Sequence, residues 1–226
     1  MNSKQVVATG IVAAMLGLSP MVASAQEGPY FGLFWGKGSN DISRGELNQL
    51  SADLTVDLGG TTPTGTSDLT DMDSVWGAQI GYRFNRFVAA EIGYVDLGKA
   101  NYEADLVANF GAGNEPYQSR GRFLSSGPTV AVLGILPIKD LFDVYGRAGI
   151  YFSDTRFRVR FVFPDQILSA EEKAGTQEMF GGLGFAWNIN EDYALRTELT
   201  HFLDVGDDDR TGEASITMLT IGVAFK

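Results

Sequence analysis

The chain has 226 residues, of which 28 are acidic and 17 are basic, so its net charge at pH 7 is −11. This acidic balance argues against general binding to nucleic acid, whose phosphates attract basic surfaces. The sequence contains no cysteine and a single histidine, His201, which excludes disulfides, thiolate metal sites and cysteine nucleophiles. We therefore expect no catalytic residue, no metal site and no bound cofactor.

Residues 1–25 have the three parts of a secretory signal peptide. Lys4 supplies the positive start, residues 6–18 are mostly apolar, and Ala23-Ser24-Ala25 is a small-residue cleavage site. The apolar stretch is short for a membrane span, and Pro20 follows it. We predict that this segment is cleaved during export and that residues 26–226 form the mature domain.

Stretches of alternating apolar and polar residues follow, as expected for β-strands with two different faces. The eight predicted strands are residues 30–37, 74–84, 87–105, 118–136, 142–163, 176–187, 193–204 and 214–225. The links between them alternate between short turns and long polar segments, and the long ones are residues 38–73, 106–117, 164–175 and 205–213. This pattern predicts an all-β, eight-stranded antiparallel up-and-down transmembrane β-barrel in an outer membrane, with four extracellular loops.

One alternate set of each strand is free of charge, and we predict that it faces lipid. In the fourth strand this set is Thr129, Ala131, Leu133 and Ile135. The opposite sets carry glycines and a lumenal charge network, which indicates a packed polar lumen. The network consists of Gln79, Arg83, Glu91, Arg147, Arg196 and Glu198. A secreted barrel of the lipocalin kind would require the reverse, an apolar interior and a polar exterior.

Several segments resemble the transmembrane domain of the OmpA-type outer-membrane barrels. They are residues 87–98, 143–149, 194–198, 205–207 and 218–225. In that family an arginine on the seventh strand pairs with a glutamate on the third, and exchange of partners can gate a narrow water path. The matching residues are Arg196 and Glu91, and Arg147 and Glu198 also match inward positions. The resemblance leaves two alternatives, a static network in a plugged lumen and a gated low-conductance pore for ions or small solutes.

Two polar surfaces have alternative interpretations. Arg156, Arg158 and Arg160 recur at period two; they point outward at the outer interface and bind lipopolysaccharide phosphates, or they belong to a solvated strand extension. A β-bulge would turn them inward. The acidic runs 68–73 and 207–209 are a cation site or simply soluble surface, and they lack the spacing of an EF-hand loop. Residues 46–54 are predicted to form one or two helical turns.

Catalysis is not expected. Outer-membrane enzymes that trim lipid A place a serine two residues after the histidine, and Leu203 occupies that position. We predict a monomeric, non-enzymatic protein that contributes to envelope integrity and presents its loops at the surface. The predicted partners are outer-membrane lipid and lipopolysaccharide, the barrel assembly machinery, and a surface ligand or host cell.

Overall fold

The computed structural model describes residues 27–41, 44–70, 74–111, 113–139, 141–207 and 212–226. The predicted signal peptide therefore lies outside the described residues, as do residues 71–73 and 208–209 of the acidic runs. The elements are β1 (Gly28–Asn40), α1 (Arg44–Asp57), β2 (Thr64–Thr70), β3 (Val75–Asn85), β4 (Val88–Asn109), β5 (Asn114–Ile138), β6 (Phe142–Val162), β7 (Ile167–Asn188), β8 (Tyr193–Asp207) and β9 (Gly212–Phe225). Neither α1 nor any other helix within the described ranges is long and apolar enough to cross a membrane.

Eight of the strands close into an antiparallel ring. The neighbours run β4, β3, β1, β9, β8, β7, β6 and β5, and β5 pairs with β4 to complete the circle. This confirms the predicted eight-stranded barrel. The extra strand β2 lies outside the ring. It pairs with the C-terminal half of β4, from Asn101 to Val107.

The side chains alternate between an apolar exterior and a mixed interior. Outward residues such as Trp35 and Leu183 are 62% and 70% exposed, whereas Glu91 and Tyr151 are almost fully buried. The buried apolar side chains form a layered core inside the barrel, and the largest of those that are almost completely inaccessible to solvent are Tyr151, Phe202, Leu97, Ile216 and Met218. This distribution is the reverse of a soluble ligand-binding barrel.

The predicted facing of one strand is wrong. In β5, Ala131 and Leu133 are buried, whereas Val132 and Leu136 are 58% and 63% exposed. Both alternate sets of this strand are apolar, so alternation alone could not decide which set faces the lumen. The cross-strand register decides it, because Ala131 lies opposite Glu91 and must share its lumenal face.

The two ends of the barrel differ. Short turns join the strands at one end, which we call the turn end, and long β-hairpins extend from the other, the hairpin end. Beyond the last pair between β7 and β8, Phe180 and Phe202, β7 continues alongside β6 alone. The parts of β4 to β7 nearest the hairpin end, together with β2, thus form an extended sheet that continues beyond the closed ring. Residues 167–175, predicted as loop, belong to β7.

The helix α1 packs on the inward face of this extended sheet. Its Thr55 hydroxyl lies 2.6 Å from the Tyr117 hydroxyl, and Ser51 lies 3.3 Å from Ser119. Leu54 joins an apolar cluster with aromatic rings of the sheet. Burial raises the pKa of the Tyr117 phenol still further above neutral pH, so its hydroxyl is protonated and able to bond. The helix therefore covers part of the inward face of the extended sheet.

We expect Thr55→Val to loosen α1 without unfolding the barrel. Valine keeps the shape of threonine but leaves the buried Tyr117 hydroxyl without this partner, at a cost of about 1–2 kcal/mol. Hydrogen–deuterium exchange of the α1 amides should then be roughly tenfold faster. The neighbouring Val56 is 50% exposed, so Val56→Ala is the control. Equal exchange in the two variants would contradict the proposed anchor.

Candidate functional site: a charge cluster in the lumen

A compact cluster of charged side chains crosses the middle of the barrel. Glu91 projects from β4, Arg147 from β6, and Arg196 and Glu198 from β8, all on the lumenal face. Each occupies an inward position of an alternating strand, because a charge on the opposite face would meet lipid. All four are nearly buried, and Glu91 is only 1% exposed.

Glu91 is the centre of this cluster. Its Oε1 accepts hydrogen bonds from Arg196 Nη1 at 2.7 Å, the Tyr30 hydroxyl at 2.7 Å and Gln79 Nε2 at 3.1 Å. Arg147 Nε lies 3.2 Å from its Oε2, an ion-pair distance without the alignment of a hydrogen bond. Glu91 therefore joins four other strands, β1, β3, β6 and β8.

Glu198 completes the cluster on the opposite side. Arg147 Nη1 donates to its Oε1 at 3.0 Å and the Thr200 hydroxyl donates at 2.7 Å. The Tyr145 hydroxyl donates to its Oε2 at 2.9 Å, and Arg196 Nη2 lies 3.5 Å from the same oxygen. Two carboxylates thus face two guanidiniums, and the formal charge of the cluster is zero.

Two tyrosines that bond the cluster each lie opposite a glycine on the neighbouring strand. Tyr30 lies opposite Gly81 and Tyr145 lies opposite Gly184. A Cβ at position 81 would lie 2.2 Å from Tyr30 Cζ, and one at position 184 would lie 2.1 Å from Tyr145 Cζ. Each glycine therefore provides the space in which a phenol ring reaches a glutamate of the cluster.

Arg83 belongs to a different site. It pairs with Asp143 at 2.9 Å near the turn end, where Asn188 also donates to that carboxylate at 3.4 Å. Lys226 Nζ donates to Asn188 Oδ1 at 2.7 Å. The predicted network is thus divided into a central cluster that includes Gln79 and a separate Arg83–Asp143 pair.

The free volume next to the cluster is large on the turn side and small beside the cluster itself. A cavity of about 330 Å³ opens on the turn side and is bordered by Tyr145, Arg196, Arg83 and Asp143. Beside the cluster itself, next to Gln79 and Glu198, the free volume falls to about 20 Å³. That volume holds about one water molecule. Little free space therefore remains beside the cluster on this side.

Several partners of the lumenal charges are not evident from the sequence. Tyr30, Tyr145, Thr200 and Asp143 complete the ion pairs, but isolated tyrosines and threonines on strands carry no sequence signal for a charge cluster. Asp143 is the exception, because it lies on the same alternate set as Arg147, three strands away from Arg83 around the ring. That parity could have identified it.

The arginines of β6 lie outside the lumen. Arg156 and Arg158 are 53% and 56% exposed, and Arg160 is also exposed, all on the outward face of the extended sheet. Their neighbours on β5, Arg120 and Arg122, lie on the same face. Arg120 and Arg122 were not among the arginines predicted for this surface, although they too recur at period two in the sequence.

The histidine and the carboxylates that could serve catalysis or metal binding form no such site in the part of the chain that the structure describes. His201 faces outward and bonds the Thr217 hydroxyl at 2.9 Å. Among the residues that the structure describes, no group of three histidine or carboxylate side chains is arranged to hold a metal ion.

The comparisons with known proteins agree with this architecture. A family model described as the OmpA-like transmembrane domain matches residues 29–226. Outer membrane protein A of Salmonella typhi is 30% identical and that of Shigella flexneri 29% identical, each over 153 residues that cover 66% of this chain and 39% of the relative. Neisserial surface protein A has a TM-score of 0.49 at 12% identity and covers 91% of this chain and 99% of its own.

The curated relatives differ in length from this chain, which spans about two fifths of them and aligns with a part of each. The family model, by contrast, covers nearly all of the described residues. The closed eight-stranded antiparallel ring agrees with this match. The chain therefore belongs to the OmpA-like transmembrane domain family and is an outer-membrane β-barrel protein.

Proposed function

We propose that this barrel is a non-enzymatic structural component of the outer membrane whose lumen is sealed, and that it contributes to envelope integrity. The observation that carries this proposal is the neutral cluster of Glu91, Arg147, Arg196 and Glu198, in which each carboxylate contacts both guanidiniums. Such a cluster ties opposite walls together and leaves little space for water. It provides no nucleophile beside a base, which supports a role other than catalysis.

Two further layers support a sealed lumen. Above the cluster, Phe180 stacks on Phe202 at 5.0 Å and Tyr151 meets Phe202 edge-on at 5.2 Å. These rings belong to the buried core between the cluster and the hairpin end. Beyond them α1 covers the inward face of the extended sheet. By the usual orientation of such barrels, the short turns face the periplasm and the hairpin end faces outward.

The test is single-channel conductance of the refolded protein in planar bilayers. We expect the wild-type barrel to be silent, and Arg196→Ala to remain silent because the aromatic layer and α1 still close the lumen. Heat-modifiable migration on gels verifies that each protein has folded. Reproducible openings of the wild type would contradict the proposal.

A gated low-conductance pore is the second candidate. It is favoured by the position of Arg196, which lies 2.7 Å from Glu91 and 3.5 Å from Glu198, so that a small movement exchanges its partner. In this case the wild type shows discrete openings and Arg196→Ala changes their conductance. The same recordings therefore distinguish the two functions.

A further inference from the structure

The outward face of the extended sheet carries a basic patch that spans three strands. Its members are Arg120, Arg122, Arg156, Arg158, Arg160 and Lys173. Three pairs lie directly opposite each other in the register, namely Arg120 with Arg160, Arg122 with Arg158, and Arg156 with Lys173. Like charges in directly opposed positions destabilise a sheet. An anionic ligand that lies across the strands would remove this repulsion.

Acidic neighbours neutralise only part of the patch. Glu171 bonds Arg158 and Lys173, Asp154 lies 3.4 Å from Arg156, and Glu103 lies opposite Arg120. No carboxylate lies directly opposite Arg122 or Arg160 in the register. Arg122 bonds the neutral Asn101 at 3.1 Å, and Arg160 lies between Arg120 and Ser169. The patch thus keeps a net positive charge on a chain whose total charge is −11.

The height of the patch above the membrane interface limits which ligands can reach it. Trp76 and Tyr94 lie 6.5 Å apart on the exterior, as in the aromatic girdle at a membrane interface. Pro128 of β5 is level with Tyr94, and the arginine pairs follow six and eight residues further along. At about 3.3 Å per residue and a tilt of about 40°, they lie roughly 15–20 Å above the girdle.

We infer that this patch binds the phosphates of lipopolysaccharide molecules that lie beside the barrel. The side chains project sideways from the barrel wall, so a ligand on the patch lies beside the barrel and above the aromatic girdle. Arginine forks bind phosphate with charge-assisted, bidentate hydrogen bonds. The inference deepens the proposed envelope role and rests on the barrel lying in the membrane with its hairpin end outward. It does not depend on whether the lumen conducts.

The test compares Arg122→Gln/Arg158→Gln with wild type in neutral lipid nanodiscs, in buffer without divalent cations. The probe is rough-type lipopolysaccharide, intact or enzymatically dephosphorylated. We expect the double variant to bind intact lipopolysaccharide roughly tenfold more weakly than wild type, and dephosphorylation to weaken wild-type binding by a similar factor. The control, Arg86→Gln/Lys139→Gln, removes the same charge at exposed positions of the turn end.

Three outcomes would overturn the inference. They are equal affinity of wild type and the double variant, equal affinity for intact and dephosphorylated lipopolysaccharide, and an equal loss in the turn-end control. Dextran sulfate is the soluble competitor, and binding to it more tightly than to lipopolysaccharide would assign the patch to a soluble polyanion instead. Because these measurements do not involve ion conduction, openings in planar bilayers would refute the sealed lumen and leave this site unaffected.

Discussion

Replacement of Glu91 by alanine is expected to cost about 3–5 kcal/mol of the free energy of unfolding, because it leaves two buried guanidiniums without their shared carboxylate. Arg196 loses its 2.7 Å partner and Arg147 keeps only Glu198. Tyr30 and Gln79 lose the same acceptor. The effect is measured by urea unfolding in lipid vesicles, followed by tryptophan fluorescence.

The matched control is Glu172→Ala, which removes an exposed carboxylate from β7. Surface substitutions of this kind usually change stability by less than about 0.5 kcal/mol. A second comparison is the double variant Glu91→Ala/Arg196→Ala, which removes the strongest pair together. It should be less destabilised than the sum of the two single variants. If Glu91→Ala behaved like Glu172→Ala, the cluster would not hold the barrel walls together.

The sequence was sufficient to predict the lumenal charges because their positions follow from one rule. Glu91 interrupts an otherwise apolar stretch, and Arg196 lies on the alternate set opposite the charge-free residues of its strand. A transmembrane barrel can accommodate such charges only in its interior. Strand β5 shows where the rule fails. Its residues 128–136 are apolar or small on both faces, so the facing depends on long-range pairing with β4, which local alternation does not encode.

The hairpin end was less predictable for the same reason. Strand β2 is polar and mostly exposed, and it is a strand only because β4 offers it an open edge. The predicted helical turns at residues 46–54 lie within α1, but its docking depends on hydroxyl contacts with Tyr102 and Tyr117. Those contacts join residues about 50 to 60 positions apart and leave no periodic pattern in the sequence.

The basic patch shows that the pairing of strands carries information that the residues of a single strand do not. Arg156, Arg158 and Arg160 are visible as a period-two run in one strand, which is compatible with a solvated extension. Pairing with β5 places Arg122 beside Arg158, and such opposition of like charges destabilises a sheet unless an anion lies between them. The proposal of an anionic ligand therefore rests on the pairing of strands and not on any single strand.

Gly184→Ala is expected to destabilise the barrel by about 2–4 kcal/mol, although it adds only one methyl group. The new Cβ would lie 2.1 Å from Tyr145 Cζ, so the ring must leave its position. It then loses its hydrogen bonds with Glu198 and Arg196, at 2.9 and 3.0 Å, and its ring contact with the Arg196 guanidinium. The cost combines overpacking with the loss of bonds to charged groups.

Gly134→Ala is the control for this substitution, because a Cβ at position 134 of β5 would have no other atom within 4 Å. It should leave the unfolding free energy within about 0.5 kcal/mol of wild type. In a Tyr145→Ala background the clash is absent, so Gly184→Ala should there cost no more than Gly134→Ala. Urea unfolding in vesicles measures all four variants. If the cost of Gly184→Ala persisted without the ring, the glycine would be required by the backbone, and not by the tyrosine that it admits to the cluster.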